Sequence, residues 1–197
     1  MKRIAVMFSG GGTNFQALID GQNAGAFDGE IVVAVSSNDR AYGIERAKKA
    51  GIDCYVRRKA DFESDVKRDE SVKAIFDEYK VDLVVLAGYL GILTAPLIDG
   101  YKHKIINIHP ALLPKFGGKG MYGIHVHEAV IAAGEKKSGA TVHYSDGGID
   151  TGEIILQRSL DVLENDTPET LQKRILDTIE HKLLVDAVAL LCSDNGK

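Results

Sequence analysis

Apolar and polar positions alternate along this chain in two rhythms. Short runs in which nearly every position is apolar, closed by glycines or small polar residues, are separated by longer stretches with apolar residues at helical spacing. Arg3 to Phe8 predicts a first, buried strand, and Ser9-Gly10-Gly11-Gly12-Thr13-Asn14 is its turn. Phe15, Leu18 and Ile19 form the apolar stripe of the helix that follows. Ile31 to Val35 predicts a second strand, Ala41 to Ala50 a helix stopped at Gly51, and Ile52 to Val56 a third strand. Phe62 to Tyr79 is a charged amphipathic helix with its apolar face on Val66, Val72, Ile75, Phe76 and Tyr79. Leu83 to Ala87 is apolar throughout, the mark of a strand covered on both faces.

Leu97 and Ile98 belong to a short helix ahead of a strand from His103 to His109, and the proline- and glycine-bearing stretch from Pro110 to Gly123 is a loop. His127 to Ala133 is helical, and Ala140 to Tyr144 and Glu153 to Ser159 are strands joined by the extended Asp146 to Gly152 loop. Thr167 as N-cap and Pro168 at the first helical position open a last helix running to about Leu191, with a frayed tail from Ser193 onward. Strands that alternate with helices in this way lie parallel and connect by right-handed crossovers. The expected fold is α/β: a doubly wound, mostly parallel sheet with an antiparallel strand pair toward the C-terminus.

Composition narrows the class. At 197 residues the chain is expected to form one domain spanning 1–197, and 45% hydrophobic content supports a core without disulfide or metal staples. A net charge of −4 argues against a general nucleic-acid binder. No apolar stretch approaches the roughly 18–20 residues of a membrane span, and the start of the chain does not read as a signal peptide. Cys54 and Cys192 are far apart and outside any metal spacing, so the expected compartment is reducing and cytoplasmic.

Candidate chemistry gathers at strand ends. Asn107 and His109 sit two apart on one strand and so share a face, and Pro110 ends the ladder. An imidazole that titrates near neutrality beside an amide that can donate to a developing oxyanion suits reaction at a carbonyl carbon. Asp150 lies in a loop able to return over that end, where a carboxylate would raise the imidazole pKa and fix the ring. The turn Gly10-Gly11-Gly12-Thr13-Asn14 opens a helix and suits a phosphate, with Thr13 and Asn14 able to cap the helix or touch the anion. It is neither a Walker loop nor a dinucleotide fingerprint, since position 15 is Phe. His125 and His127 lack a matching ligand set, so no metal is expected; His127 begins a helix, His103 is on the surface and His143 can face the site. On the residues alone, Glu180 reads as a solvated helix glutamate and His181 as packed or solvated.

Five segments together resemble one family. They are Ser9 to Asn14, Leu86-Ala87-Gly88-Tyr89, Ile106 to Pro114, Gly139-Ala140-Thr141-Val142-His143 and Asp150 to Ile155. In order and spacing the chain resembles the folate-dependent formyltransferases over nearly its whole length, among them the phosphoribosylglycinamide formyltransferases of purine synthesis. The resemblance implies a Rossmann-like formyltransferase fold and small-molecule substrates: 10-formyltetrahydrofolate as formyl donor and glycinamide ribonucleotide as acceptor. It implies a monomer or homodimer with no metal, nucleic acid or membrane partner. Asn107, His109 and Asp150 would be the catalytic set, with Asn107 and a protonated His109 stabilising the oxyanion and Asp150 keeping the ring charged. Gly12, Thr13, Asn14, Phe15 and Gln16 would hold the ribonucleotide, with Glu180 on its ribose hydroxyls. Leu90, Gly91, Ile92 and Leu93, with Asn107, would receive the pterin, and the Ser145 to Asp150 loop would close over its other side. Gly91 and Asp65 stand where arginines occur in relatives, leaving Lys67 or Arg68 to meet the folate tail, and the Phe116 to Tyr122 loop is longer than in some relatives.

The alternative on the same scaffold is hydrolysis of the formyl folate, for which relatives carry an extra N-terminal domain. Transfer to methionyl-tRNA expects a further RNA-binding domain. A phosphosugar-binding module would have no use for Asn107, His109 and Asp150 together, and a dehydrogenase needs the fingerprint that Phe15 breaks.

Overall fold

The computed structural model describes residues 1–193. Seven strands form one sheet: β1 (Lys2–Phe8), β2 (Gly29–Ser36), β3 (Cys54–Val56), β4 (Leu83–Leu86), β5 (Ile105–His109), β6 (Lys137–Tyr144) and β7 (Ile154–Asp161). Their spatial order is β3-β2-β1-β4-β5-β6-β7. The first five are mutually parallel, and β6 and β7 run antiparallel to their neighbours. The chain order reverses between β1 and β4, the kind of switch point at which open α/β sheets hold ligands.

Helices cover both faces. They are α1 (Thr13–Asn23), α2 (Gly43–Ala50), α3 (Asp65–Glu78), α4 (Ala95–Gly100), α5 (Ile124–Ala132), α6 (Pro168–Ile175) and α7 (His181–Ser193). β1 shows the strand period at work: Ile4, Val6 and Phe8 pack with α1 and α7, while Ala5 and Met7 pack with α3 and α4. Burying both faces demands the unbroken apolar run read from the sequence.

Three helical expectations need adjustment. α3 begins at Asp65 because Ser64 caps it, accepting from the Lys67 N–H. Val66, expected on its buried face, is 43% exposed, while Arg68 and Asp69 are buried instead. The last helical stretch is capped as expected by Thr167 with Pro168 behind it, but a π turn (Leu176–Glu180) interrupts it between α6 and α7. The tail expected beyond Ser193 lies outside the described residues. Among the described residues, no helix is long and apolar enough to cross a membrane.

Candidate active site

A cavity of about 980 Å³ opens over the C-terminal ends of β4 and β5. It is lined by Asn14, Leu90 to Leu93, Asn107, His109, His127, His143, Ser145 to Asp150 and Glu180. The fold therefore brings Asn107, His109 and Asp150 to one place, with Asn14 and Glu180 at the same cavity. It also sets Leu90 to Leu93 and the Ser145 to Asp150 loop into its walls.

Asn107 and His143 face each other across β5 and β6. The His143 Nδ1–H donates to the Tyr144 carbonyl at 2.9 Å, which leaves Nε2 to accept from Asn107 Nδ2 at 3.2 Å. The carboxamide is thus held with its second N–H free for another acceptor. A bulge in the β6–β7 pairing falls at Val142/His143, a device that re-aims side chains near sites.

Asp150 sits between two imidazoles. Its Oδ2 is 3.6 Å from His109 Nδ1, its Oδ1 is 3.6 Å from His143 Nε2, and the Gly118 N–H donates to Oδ2 at 3.0 Å. Its backbone has φ 57°, the left-handed region that aspartate tolerates better than most residues. Burial works against ionisation here. The His143 contact, the His109 charge and the Gly118 N–H outweigh it and hold the Asp150 carboxyl below its ordinary range.

His109 corrects one expectation. Asp150 raises its pKa as expected, and so does the Phe116 carbonyl, but burial outweighs both and leaves it below the ordinary imidazole value. The Phe116 carbonyl, 2.7 Å away, takes the Nε2–H and orients the ring so that Nδ1 is the nitrogen facing Asp150. Both backbone partners, Phe116 and Gly118, come from the Phe116 to Tyr122 loop. Gly117 permits its close approach, because a Cβ there would lie 2.5 Å from Leu113 and 3.2 Å from Asp150.

The glycine turn also differs from expectation. The N-cap of α1 is Gly12, at φ 69°, and no side chain caps the helix, so Thr13 and Asn14 lie inside its first turn. A Cβ at Gly12 would meet the Gly43 backbone at 2.8 Å. Phe15 is fully buried and stacks on Phe8, so its side chain belongs to the core. Thr13 is exposed, and the Gln16 side chain bonds Asp20 and Arg46. Of the turn residues only Asn14 lines the large cavity. Asn14 donates to Glu180 at 2.9 Å, while its Oδ1 is buried without a partner. Glu180 is itself buried, not solvated, because the π turn carries it to the cavity. Burial raises its pKa to about 6, and the Asn14 bond offsets only part of that.

Of the two expected substitutes, Lys67 lies exposed at the surface, whereas Arg68 is buried and not free to meet a folate tail. Lys67 pairs with Glu70 at 2.8 Å. Arg68, 3% exposed, is held by Asp65, Asp69 and the Ile92 carbonyl, and Asp69 in turn accepts from Thr94 N–H and hydroxyl. This buried pair anchors the Leu90 to Leu93 segment. A side chain at Gly91 would begin 2.6 Å from the Tyr89 ring, which accounts for the glycine.

The profile of the formyl transferase family matches residues 2–188. The chain is 43% identical over 197 residues to the chloroplastic phosphoribosylglycinamide formyltransferase of Arabidopsis thaliana, covering 100% of this chain and 67% of that one. It is 41% identical over 193 residues to the Vigna unguiculata protein of the same description, covering 98% of this chain and 62% of that one. The chain thus spans about two thirds of the length of these plant relatives. A crystal structure of glycinamide ribonucleotide transformylase 1 from Symbiobacterium toebii matches with a TM-score of 0.92 and 40% identity, covering 98% of this chain and 88% of that one.

Proposed function

The chain belongs to the formyl transferase family, and from that premise we propose that it transfers the formyl group of 10-formyltetrahydrofolate to the primary amine of glycinamide ribonucleotide. The observation that carries the reading is the convergence of Asn107, His109 and Asp150 in one cavity. Asn14, on the uncapped first turn of α1, borders that cavity. At about 980 Å³ with Leu90, Ile92, Leu93 and Ile149 in its walls, the cavity suits a flat aromatic co-substrate.

In the proposed reaction the amine nitrogen bonds to the formyl carbon and the carbonyl electron pair moves onto oxygen. The free N–H of Asn107 meets that oxyanion, a contribution of about 3 kcal/mol to the barrier. The proton lost by the amine goes to His109 Nδ1, the basic atom left by the Phe116 bond, and the charge of Asp150 stabilises the imidazolium as it forms. The 3.6 Å contact shortens as that proton is shared. The carbonyl re-forms, the bond to N10 breaks, and His109 returns the proton to N10. Glu180 accepts from the ribose hydroxyls, and the first-turn N–H groups of α1 meet the phosphate. The proposal treats residues 1–197 as one domain working on small molecules in the cytoplasm, in keeping with two unpaired cysteines.

The test is to incubate the protein with 10-formyltetrahydrofolate, with and without glycinamide ribonucleotide, and follow deformylated folate. Release that requires the ribonucleotide is the expected result. Release at the same rate without it would make water the acceptor and overturn the proposal.

A further inference from the structure

Beside the glycine turn stands a cation that the reaction scheme above leaves unused. Arg46, on α2, donates from Nε to the Gly11 carbonyl at 2.8 Å and from Nη1 to Gln16 Oε1 at 3.1 Å. Its guanidinium lies over the Tyr42 ring, 5.1 Å from the centroid. Two of five N–H groups are so occupied. Among the described residues no carboxylate comes within ion-pair distance of it, although most of the other arginines have one.

The turn it braces offers donors as well. The first turn of α1 is uncapped and carries the positive end of the helix dipole. His181, the residue after Glu180, has a buried Nε2 without a partner. Burial lowers the pKa of that ring, and the nearby Arg46 charge adds to the effect against the pull of Asp177. A guanidinium outside any ion pair, braced against an uncapped helix N-terminus, forms a place that offers a dianion both charge and N–H donors.

We infer that Arg46 is the specificity residue for the acceptor's phosphate: it fixes the turn through Gly11 and turns its remaining N–H groups to the phosphate seated on α1. The inference rests on the proposed acceptor and adds the group that distinguishes a phosphorylated from an unphosphorylated one. Orientation comes from two neutral acceptors and an aromatic face, so the full charge stays available for the ligand.

The experiment measures formyl transfer by wild type, Arg46→Gln and Arg46→Lys to glycinamide ribonucleotide and to its dephosphorylated riboside. Arg46→Gln is expected to lose about 10- to 100-fold in kcat/KM for the ribonucleotide, through KM, with riboside transfer unchanged. Arg46→Lys should fall between, since an ammonium keeps the charge but loses the planar fork. An equal loss with both acceptors means a role in the fold alone and overturns the inference, as does no loss with either. Calorimetric titration with inorganic phosphate separates the two readings. Binding that depends on Arg46 supports the inference even if wild type fails to use the ribonucleotide, which would strike only the acceptor. Phosphate binding unaffected by Arg46→Gln, or absent in wild type, overturns the inference.

Discussion

Asp150 and Glu180 are both carboxylic acids at the wall of one cavity, yet their environments push them in opposite directions. Burial disfavours the charge of each. Asp150 accepts from a backbone N–H and lies 3.6 Å from each of two imidazoles, and these keep its pKa below the ordinary range. Glu180 has one amide, that of Asn14, and its pKa rises to about 6. The difference lies in partners supplied by the protein. Asp150 has its partners in the protein alone, which suits the proposed part of stabilising a forming imidazolium. Glu180 has a single donor, which suits the proposed part of accepting from ligand hydroxyls.

The largest effect separating the two acids belongs to Asp150→Asn. Loss of the charge should lower kcat about a thousandfold and leave the KM for the ribonucleotide nearly unchanged. The same change removes a pull that raises the His109 pKa, so the acid limb of the residual kcat/KM profile should move to lower pH. Steady-state kinetics across pH checks both parts; near-normal turnover would remove Asp150 from its role.

Glu180→Gln comes next and should act on the other parameter. The KM for the ribonucleotide should rise about tenfold or more while kcat changes little, because a neutral amide binds hydroxyls less well than a carboxylate. Stability should move the opposite way. The folded-state pKa of about 6 lies above the ordinary 4.5, so Glu180 is fully tolerated below that value and destabilises as pH rises through 6. The variant should gain about 2 kcal/mol over wild type near neutral pH and nothing near about pH 4. Urea unfolding at the two pH values measures it, and an equal gain at both would dissociate the effect from ionisation.

The smallest effect belongs to His143→Gln. It removes a partner from Asp150 and releases the Asn107 carboxamide, making Asp150 more like Glu180. A loss of about tenfold in kcat, with the Asp150 pKa moved upward, is expected. An unchanged kcat would mean that the cross-strand pair holds nothing the reaction needs.

The two acids also mark how far the sequence is legible. Strand and helix order follow from hydrophobic period, so the β1, β4 and β5 runs and the Asn107–His109 face can be read directly. The pattern of residues does not place Glu180, which looks solvated on a helix until a π turn aims it inward; only the family resemblance points to it. Arg68 and Asp69 mislead for the same reason, since a charged helix face says nothing of a loop that comes down to cover it. The Phe116 carbonyl and Gly118 N–H carry no side-chain signal at all. The lowered His109 pKa depends on burial, which residue identity does not encode, whereas proximity to Asp150 alone suggests the opposite sign. Arg46 is visible as a residue, but its tie to Gly11 exists only once α2 packs against the turn.

Carboxyl carbon NMR of selectively labelled protein, titrated from acid to neutral pH with and without the ribonucleotide, tests the central contrast most directly. Asp150 should stay ionised down to pH values below its ordinary pKa, while Glu180 should titrate near 6 and become ionised at lower pH once the ribonucleotide is bound. A common titration of both acids, or a Glu180 signal indifferent to the ribonucleotide, would contradict the assignment of one acid to proton transfer and the other to the acceptor.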